Sequence, residues 1–202
     1  MLKLKITSIP SYCTLIRYFI PKDCVIAANI PKVTIQSTVK ERTTRYRSLL
    51  LKYFDWPRHP LKNPENWLDA RSGIVNELEQ ILKKVPNATL EKQSFQTEIL
   101  YRHNEPTPVN GQNIIVTFHG RNRGTVDDGI LLIGAHYDSE NLRLFSVNDN
   151  GSGVVAIMEC VRSLSDAIVN QGAILLNTVI FVLFDVQRSQ YVILLLSLLN
   201  RI

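Results

Sequence analysis

Cysteine is scarce in this sequence: among its 202 residues only Cys13, Cys24 and Cys160 carry a thiol, far apart and with no CxxC pair. That excludes a cysteine zinc knuckle and a disulfide framework, and an odd count does not fix the redox compartment. No apolar stretch reaches the ~20 residues that span a bilayer; the C-terminal run Tyr191–Leu199 is too short. Signals for a secretory leader are mixed. Lys3 and Lys5 precede a fairly apolar stretch from Ile6 to Ile20, but Pro10, Arg17 and Pro21 interrupt it and no small-residue cleavage site follows. Internal repeats and low-complexity segments are also absent. Core-forming residues are plentiful: 45% of the chain is hydrophobic, which excludes wholesale disorder.

Positive charge is unevenly spread. Residues 1–60 carry 11 Lys+Arg against 3 Asp+Glu, a net of +8, whereas residues 61–202 carry 12 against 15, a net of −3. The pI near 9.2 therefore belongs to the N-terminal arm. Lys40, Arg42, Arg45, Arg47 and Lys52 are the basic cluster a nucleic acid would need, but a solvated or processed arm is the ordinary meaning of a charge-biased terminus. No nucleic-acid partner is expected. Asp55-Trp56-Pro57-Arg58-His59-Pro60 reads as a linker, because its two prolines stop any helix. Together the charge break and the linker divide the chain into an arm, 1–60, and a globular unit, 61–202.

The globular unit opens with helix signals. Asn63 suits an N-cap, Pro64 the first helical position and Glu65 the positive end of the dipole. Trp67, Ile74, Leu78, Ile81, Leu82 and Val85 form a helical stripe that ends at Pro86. Strands are expected around Phe95–Tyr101 and Asn113–Phe118, an antiparallel pair joined by an Asn104–Gln112 loop that contains prolines and Gly111. Ile130–Ile133 and Val179–Phe184 are continuous apolar runs, as expected of strands buried on both faces. Between them Val155, Met158, Val161 and Leu164 keep helical spacing from Ser152 onward. Strand, helix, strand makes a βαβ unit, so the sheet is at least partly parallel with helices on both faces. Ligands in such sheets bind beyond the carboxyl ends of the strands.

Polar residues gather at that edge. Gly134-Ala135-His136-Tyr137-Asp138-Ser139 ends the first buried strand, and alternation puts His136 and Asp138 on one face. A metal-bound imidazole commonly has its second nitrogen held by a carboxylate, and an HxD pair can supply both parts; a hydrogen-bonded structural histidine is the plain alternative. Asp149, in Val147-Asn148-Asp149-Asn150-Gly151-Ser152-Gly153 at the entrance to the helix, is a hard oxygen donor on the same edge. Its plain alternative is an ordinary loop with a cap. Taken together the two motifs favour a metal, at Zn–N and Zn–O distances of about 2.0–2.2 Å.

From about Asn63 to Asp185 the chain resembles metallopeptidase family 28, the co-catalytic zinc aminopeptidases, most specifically in these two motifs and in Phe181-Val182-Leu183-Phe184-Asp185. The resemblance implies an α/β fold, a three-layer α/β/α sandwich with a mixed, partly parallel sheet, incomplete on its C-terminal side. It implies that His136 is a terminal ligand of one zinc, that Asp149 bridges two zinc ions and that Asp138 orients His136. It further implies hydrolysis of the N-terminal residue of a peptide substrate, with zinc polarising the scissile carbonyl and acidifying a bridging water. Where the family has one residue and then Glu-Glu, a general base and a metal ligand, this chain has Val186 and then Gln187-Arg188. Gln187 cannot take a proton from water, and Arg188 puts a cation in an anion's place. The chain is therefore expected to be an incomplete, inactive fragment that binds zinc weakly, with a non-catalytic binding or regulatory short form as the alternative. Its apolar end is expected to cost solubility. Two sequons, Asn87-Ala88-Thr89 and Asn150-Gly151-Ser152, are compatible with a secretory or extracellular location, with only Asn87 expected to carry a glycan.

Overall fold

A computed structural model describes residues 5–6, 16–17, 39–99, 105–140 and 147–186. In chain order these form β1 (Lys5–Ile6), β2 (Ile16–Arg17), α1 (Val39–Tyr53), α2 (Pro64–Leu82), β3 (Ala88–Ile99), β4 (Thr107–Phe118), β5 (Leu131–His136), α3 (Ser152–Gln171) and β6 (Val179–Phe184). β1 and β2 pair antiparallel with each other, and the main sheet has the order β3-β4-β6-β5. β3–β4 and β4–β6 are antiparallel, whereas β5 and β6 run parallel and side by side. The expected βαβ unit is β5-α3-β6. The fold is of the α/β class, with a mixed, partly parallel sheet.

Alternation divides the sheet into two faces. Ile114, Val116 and Phe118 of β4, Phe181 and Leu183 of β6, and Ala135 of β5 join one core with Leu49 and Phe54, with Trp67, Ile74 and Leu78 of α2, and with Val154, Val155, Met158 and Val161 of α3. All three described helices therefore cover this face. Ile115, Leu132, Ile180 and Val182 form a separate small cluster on the other. The register explains the partition: Ile114 lies opposite Leu183, Val116 opposite Phe181, and Ala135 opposite Leu183, so same-face neighbours coincide across three strands.

α2 begins at Pro64 as its sequence signals require, but the Asn63 side chain makes no capping hydrogen bond. Its buried residues, Trp67, Ala70, Gly73, Ile74, Val75 and Leu78, form a wider stripe than the expected one because α3 and α1 both pack on it. The β3–β4 ribbon is longer than expected and runs from Ala88 opposite Phe118 to Ile99 opposite Thr107. Most of the presumed loop is thus strand. Gly111 is there for space and not for a turn: it lies opposite Phe95, and a Cβ on it would meet the Phe95 ring at 2.3 Å.

The charge break near residue 60 does not coincide with a structural boundary. α1 packs against α2 and α3, Leu49 and Phe54 are core residues, and Arg58 is wholly buried. Part of the basic stretch pairs with acid on later helices: Arg45 donates to both carboxylate oxygens of Glu159 at 2.7 and 2.6 Å, and the exposed Lys52 lies 3.6 Å from Glu77. Charge counts miss this because those partners lie far along the chain, on α2 and α3. Among the described residues no helix is long and apolar enough to cross a membrane. Tyr191–Leu199, Gln187 and Arg188 lie outside the described residues.

Candidate metal centre

The parallel pairing of β5 and β6 aligns their carboxyl ends, with His136 opposite Phe184. β5 ends at His136, and the following residues to Ser139 stay buried. Thirteen residues on in sequence from His136, Asp149 sits in the irregular turn Val147–Gly151, whose non-helical Asp149 and Asn150 and cis Asp149–Asn150 peptide precede α3. The turn brings the carboxylate back to the strand end: His136 Nε2 is 3.0 Å from Asp149 Oδ1. On the other side of the ring, His136 Nδ1 is 3.0 Å from the Asp138 carbonyl oxygen and 3.3 Å from Asp138 Oδ1. All three candidates named from the sequence therefore meet, in the order Asp138, His136, Asp149.

Electrostatics follow from that order. Burial by itself lowers the His136 pKa, but the hydrogen bonds and charges of Asp138 and Asp149 outweigh it and raise it to about 9. A proton carried on Nε2 points at Asp149. A metal would take that position. Two ligands of one tetrahedral ion with bonds of about 2.0–2.2 Å lie about 3.3–3.6 Å apart, so the 3.0 Å pair would open by a few tenths of an ångström to admit one. The Asp138 contact on Nδ1 is the outer support that a metal-bound imidazole uses. The pair fits part of a metal site. Among the described residues no group of three or more His, Cys, Asp and Glu is placed to hold a metal ion.

The edge also holds residues to which the sequence assigned no role. Asp185, directly after β6, is wholly buried and accepts hydrogen bonds from Trp67 Nε1 at 2.7 Å, Arg71 at 2.9 Å, the Gln112 amide at 2.9 Å and the Val186 amide at 2.9 Å. Burial, then the nearby Asp138 charge, push its pKa up to about 6 against the pull of these donors, so it is ionised at neutral pH. Arg71 also donates to the Tyr137 hydroxyl at 3.0 Å, which in turn donates to the Gln112 carbonyl at 2.7 Å. Burial pushes the Tyr137 phenol up, so this donor stays protonated. Arg58, read from sequence as part of a linker, donates from Nε to the Tyr137 carbonyl at 2.8 Å, between His136 and Asp138. Its two flanking prolines hid it. Only an unexplained Arg within an otherwise punctuating segment hinted at more.

The two sequons also separate. Asn87 is exposed and has a φ of 58°, whereas the Asn150 side chain is buried, 4% exposed, inside the candidate site.

Residues 113–186 match the model of Peptidase family M28. Over 160 residues the chain is 28% identical to "Probable aminopeptidase YDR415C" of Saccharomyces cerevisiae, covering 76% of this chain and 37% of that protein. It is 27% identical over 162 residues to "Probable leucine aminopeptidase" of Arthroderma otae, covering 76% of this chain and 38% of that protein. The chain thus spans well under half the length of these relatives. LapB from Legionella pneumophila aligns with a TM-score of 0.53 at 12% identity, over 86% of this chain and 42% of that one, a likeness of fold.

Proposed function

We propose, for a chain whose residues 113–186 are of the Peptidase family M28 type, that it carries the first half of the zinc site of an aminopeptidase-like exopeptidase. The observation that carries this reading is the facing pair His136 Nε2 and Asp149 Oδ1 at 3.0 Å, with Asp138 behind the ring. His136 would be a terminal ligand, Asp149 would bridge two ions, and Asp138 would hold the ring and its tautomer. When bound, zinc in such sites supplies polarisation of a scissile carbonyl and a lowered pKa for bound water. The substrate class is the N-terminal residue of a peptide.

The chain's own residues supply orientation and shielding. Tyr137 and Asp138 are 0% and 3% exposed, which keeps the imidazole's outer side dry and its hydrogen bond strong. Turnover needs more than this. Gln187 and Arg188 stand where the family pattern has Glu-Glu, so these two positions offer neither a general base nor an anionic ligand. This specific feature favours a second reading, a non-catalytic binding or regulatory short form of the same fold.

Chelator-sensitive hydrolysis of an aminoacyl chromogenic amide, with zinc content determined in parallel, separates the two. The 202-residue chain is expected to bind zinc weakly and to show no turnover above background. Extension by the family's second half should restore turnover, and His136→Ala or Asp149→Asn should then abolish it. Stoichiometric zinc and turnover in the 202-residue chain alone would overturn the assignment of base and ligands.

A further inference from the structure

The turn after α1 touches both halves of the candidate site. Arg58, wholly buried, donates from NH1 to the carbonyls of Phe54 and Trp56, each at 3.0 Å, which closes the turn on itself. From Nε it donates to the Tyr137 carbonyl at 2.8 Å. Its backbone is also tied: the Arg58 amide donates to Ser139 Oγ at 2.8 Å, and the Ser139 amide donates to the Arg58 carbonyl at 3.2 Å. The peptide groups on both sides of Asp138 are therefore held by one residue.

The same turn presses on the other motif. Phe54 packs on Gly151, where a Cβ would fall 2.6 Å from the Phe54 Cβ, so no other residue fits there without a shift. The Arg58 guanidinium stacks over the Phe54 ring, 4.7 Å from its centroid. One step further back, the Tyr46 hydroxyl of α1 donates to the Ser152 carbonyl at 2.8 Å, at the start of α3. α1 and its turn thus form a wedge with the His136–Ser139 segment on one side and the Asp149–Ser152 turn on the other.

We infer that Arg58 is the positioning residue of this site, and that the Phe54–Arg58 turn sets the separation of His136 and Asp149. Arg58 acts through the backbone of Tyr137 and Ser139 and through the Phe54 ring, not by touching a metal. A guanidinium suits the task because its planar fork serves three carbonyls in fixed directions, whereas a lysine ammonium is a single flexible point. The charge matters less than the fork. Burial lowers the Arg58 pKa to about 10, with Asp138 and Asp149 acting against that, so it stays charged at neutral pH.

This inference rests on the metal reading for its purpose but not for its test. The experiment uses the 202-residue chain and the variants Arg58→Met, Arg58→Lys and Ser139→Ala, with folding checked by circular dichroism. Two quantities are read: the ring ¹⁵N signals of His136 in the metal-free chain at fixed pH, and Zn²⁺ affinity by calorimetry. Arg58→Met should move the ring signals towards those of a free imidazole and weaken Zn²⁺ binding about 10-fold or more, the usual effect of losing an outer support. Arg58→Lys should recover only part of both. Ser139→Ala, a gentler change, should shift both in the same direction by a smaller amount, and it decides the matter if Arg58→Met does not fold. Folded variants with wild-type ring signals and wild-type affinity would overturn the inference. Zn²⁺ uptake that is indifferent to His136→Ala would instead sink the metal reading, while a ring-signal change in the Arg58 variants would still uphold positioning.

Discussion

Two strands end side by side at this edge, and each is followed by an aspartate, yet the two carboxylates have different work. Asp138, two residues past the His136–Phe184 register pair, faces the His136 ring, and through that ring it reaches Asp149. Asp185, one residue past Phe184, is saturated by donors from α2, β4 and its own turn. The first end is held from outside by the Phe54–Arg58 turn, the second from beneath by Trp67 and Arg71 of α2. A carboxylate at a sheet edge is therefore either paired with a neighbouring imidazole or saturated by donors of the fold, according to what surrounds it. Motif position alone does not decide it.

The largest way to break the contrast is to remove what supports the β5 end. Deleting residues 1–60 takes away Leu49, Phe54 and Arg58, all buried, and should abolish cooperative unfolding in a urea titration monitored by circular dichroism. A cooperative transition of full amplitude from residues 61–202 would restore 1–60 as a dispensable arm. Next in size, Asp185→Ala should cost on the order of 1–3 kcal/mol, because it leaves the buried Trp67 Nε1 donor unsatisfied and the half-buried Arg71 guanidinium without its counter-charge.

Ionisation of Asp185 adds an effect of different origin, the burial of its own carboxyl. Its carboxyl, raised from 3.8 to about 6 in the fold, keeps a proton that the unfolded chain releases between those values. Its contribution to stability therefore falls as pH rises through that window, by about 3 kcal/mol in total. A carboxyl ¹³C titration of Asp185 with a midpoint near 4 would contradict the burial argument. Asp138→Asn should do the reverse of the Asp185 change: little loss of global stability but a roughly 10- to 100-fold weaker grip on zinc. Smallest of all, Arg45→Met should lower stability by less than about 1 kcal/mol, since the Arg45–Glu159 pair is partly solvent-exposed and α1 is held chiefly by its apolar residues. A larger loss would mean that the ion pair, and not Leu49 and Phe54, anchors the helix.

Much of this was legible beforehand because it depends on local rules. The Pro64 helix start, the apolar runs at β5 and β6, and the helical spacing from Ser152 are set by neighbours a few residues apart, and each is where its pattern implied. The strand pair was recognised but shortened, since prolines and Gly111 look like a loop until Phe95 is seen lying over the glycine. His136, Asp138 and Asp149 were readable as a set because β5, the turn and the start of α3 follow one another in sequence, and a βαβ unit returns them to one edge.

Sequence by itself determined the α/β class, the βαβ unit and the three candidate residues, because hydrophobic period and turn chemistry act over short distances. Only the tertiary structure decided that α1 belongs to the core, that Arg58 braces Asp138's neighbours, and that Asp185 is bound into the fold. Those outcomes depend on partners 79 to 118 residues away, as in the Arg58–Tyr137 and Trp67–Asp185 hydrogen bonds. A charge or a polar atom in the chain does not reveal which distant donor or acceptor will desolvate and satisfy it; packing of the layers does.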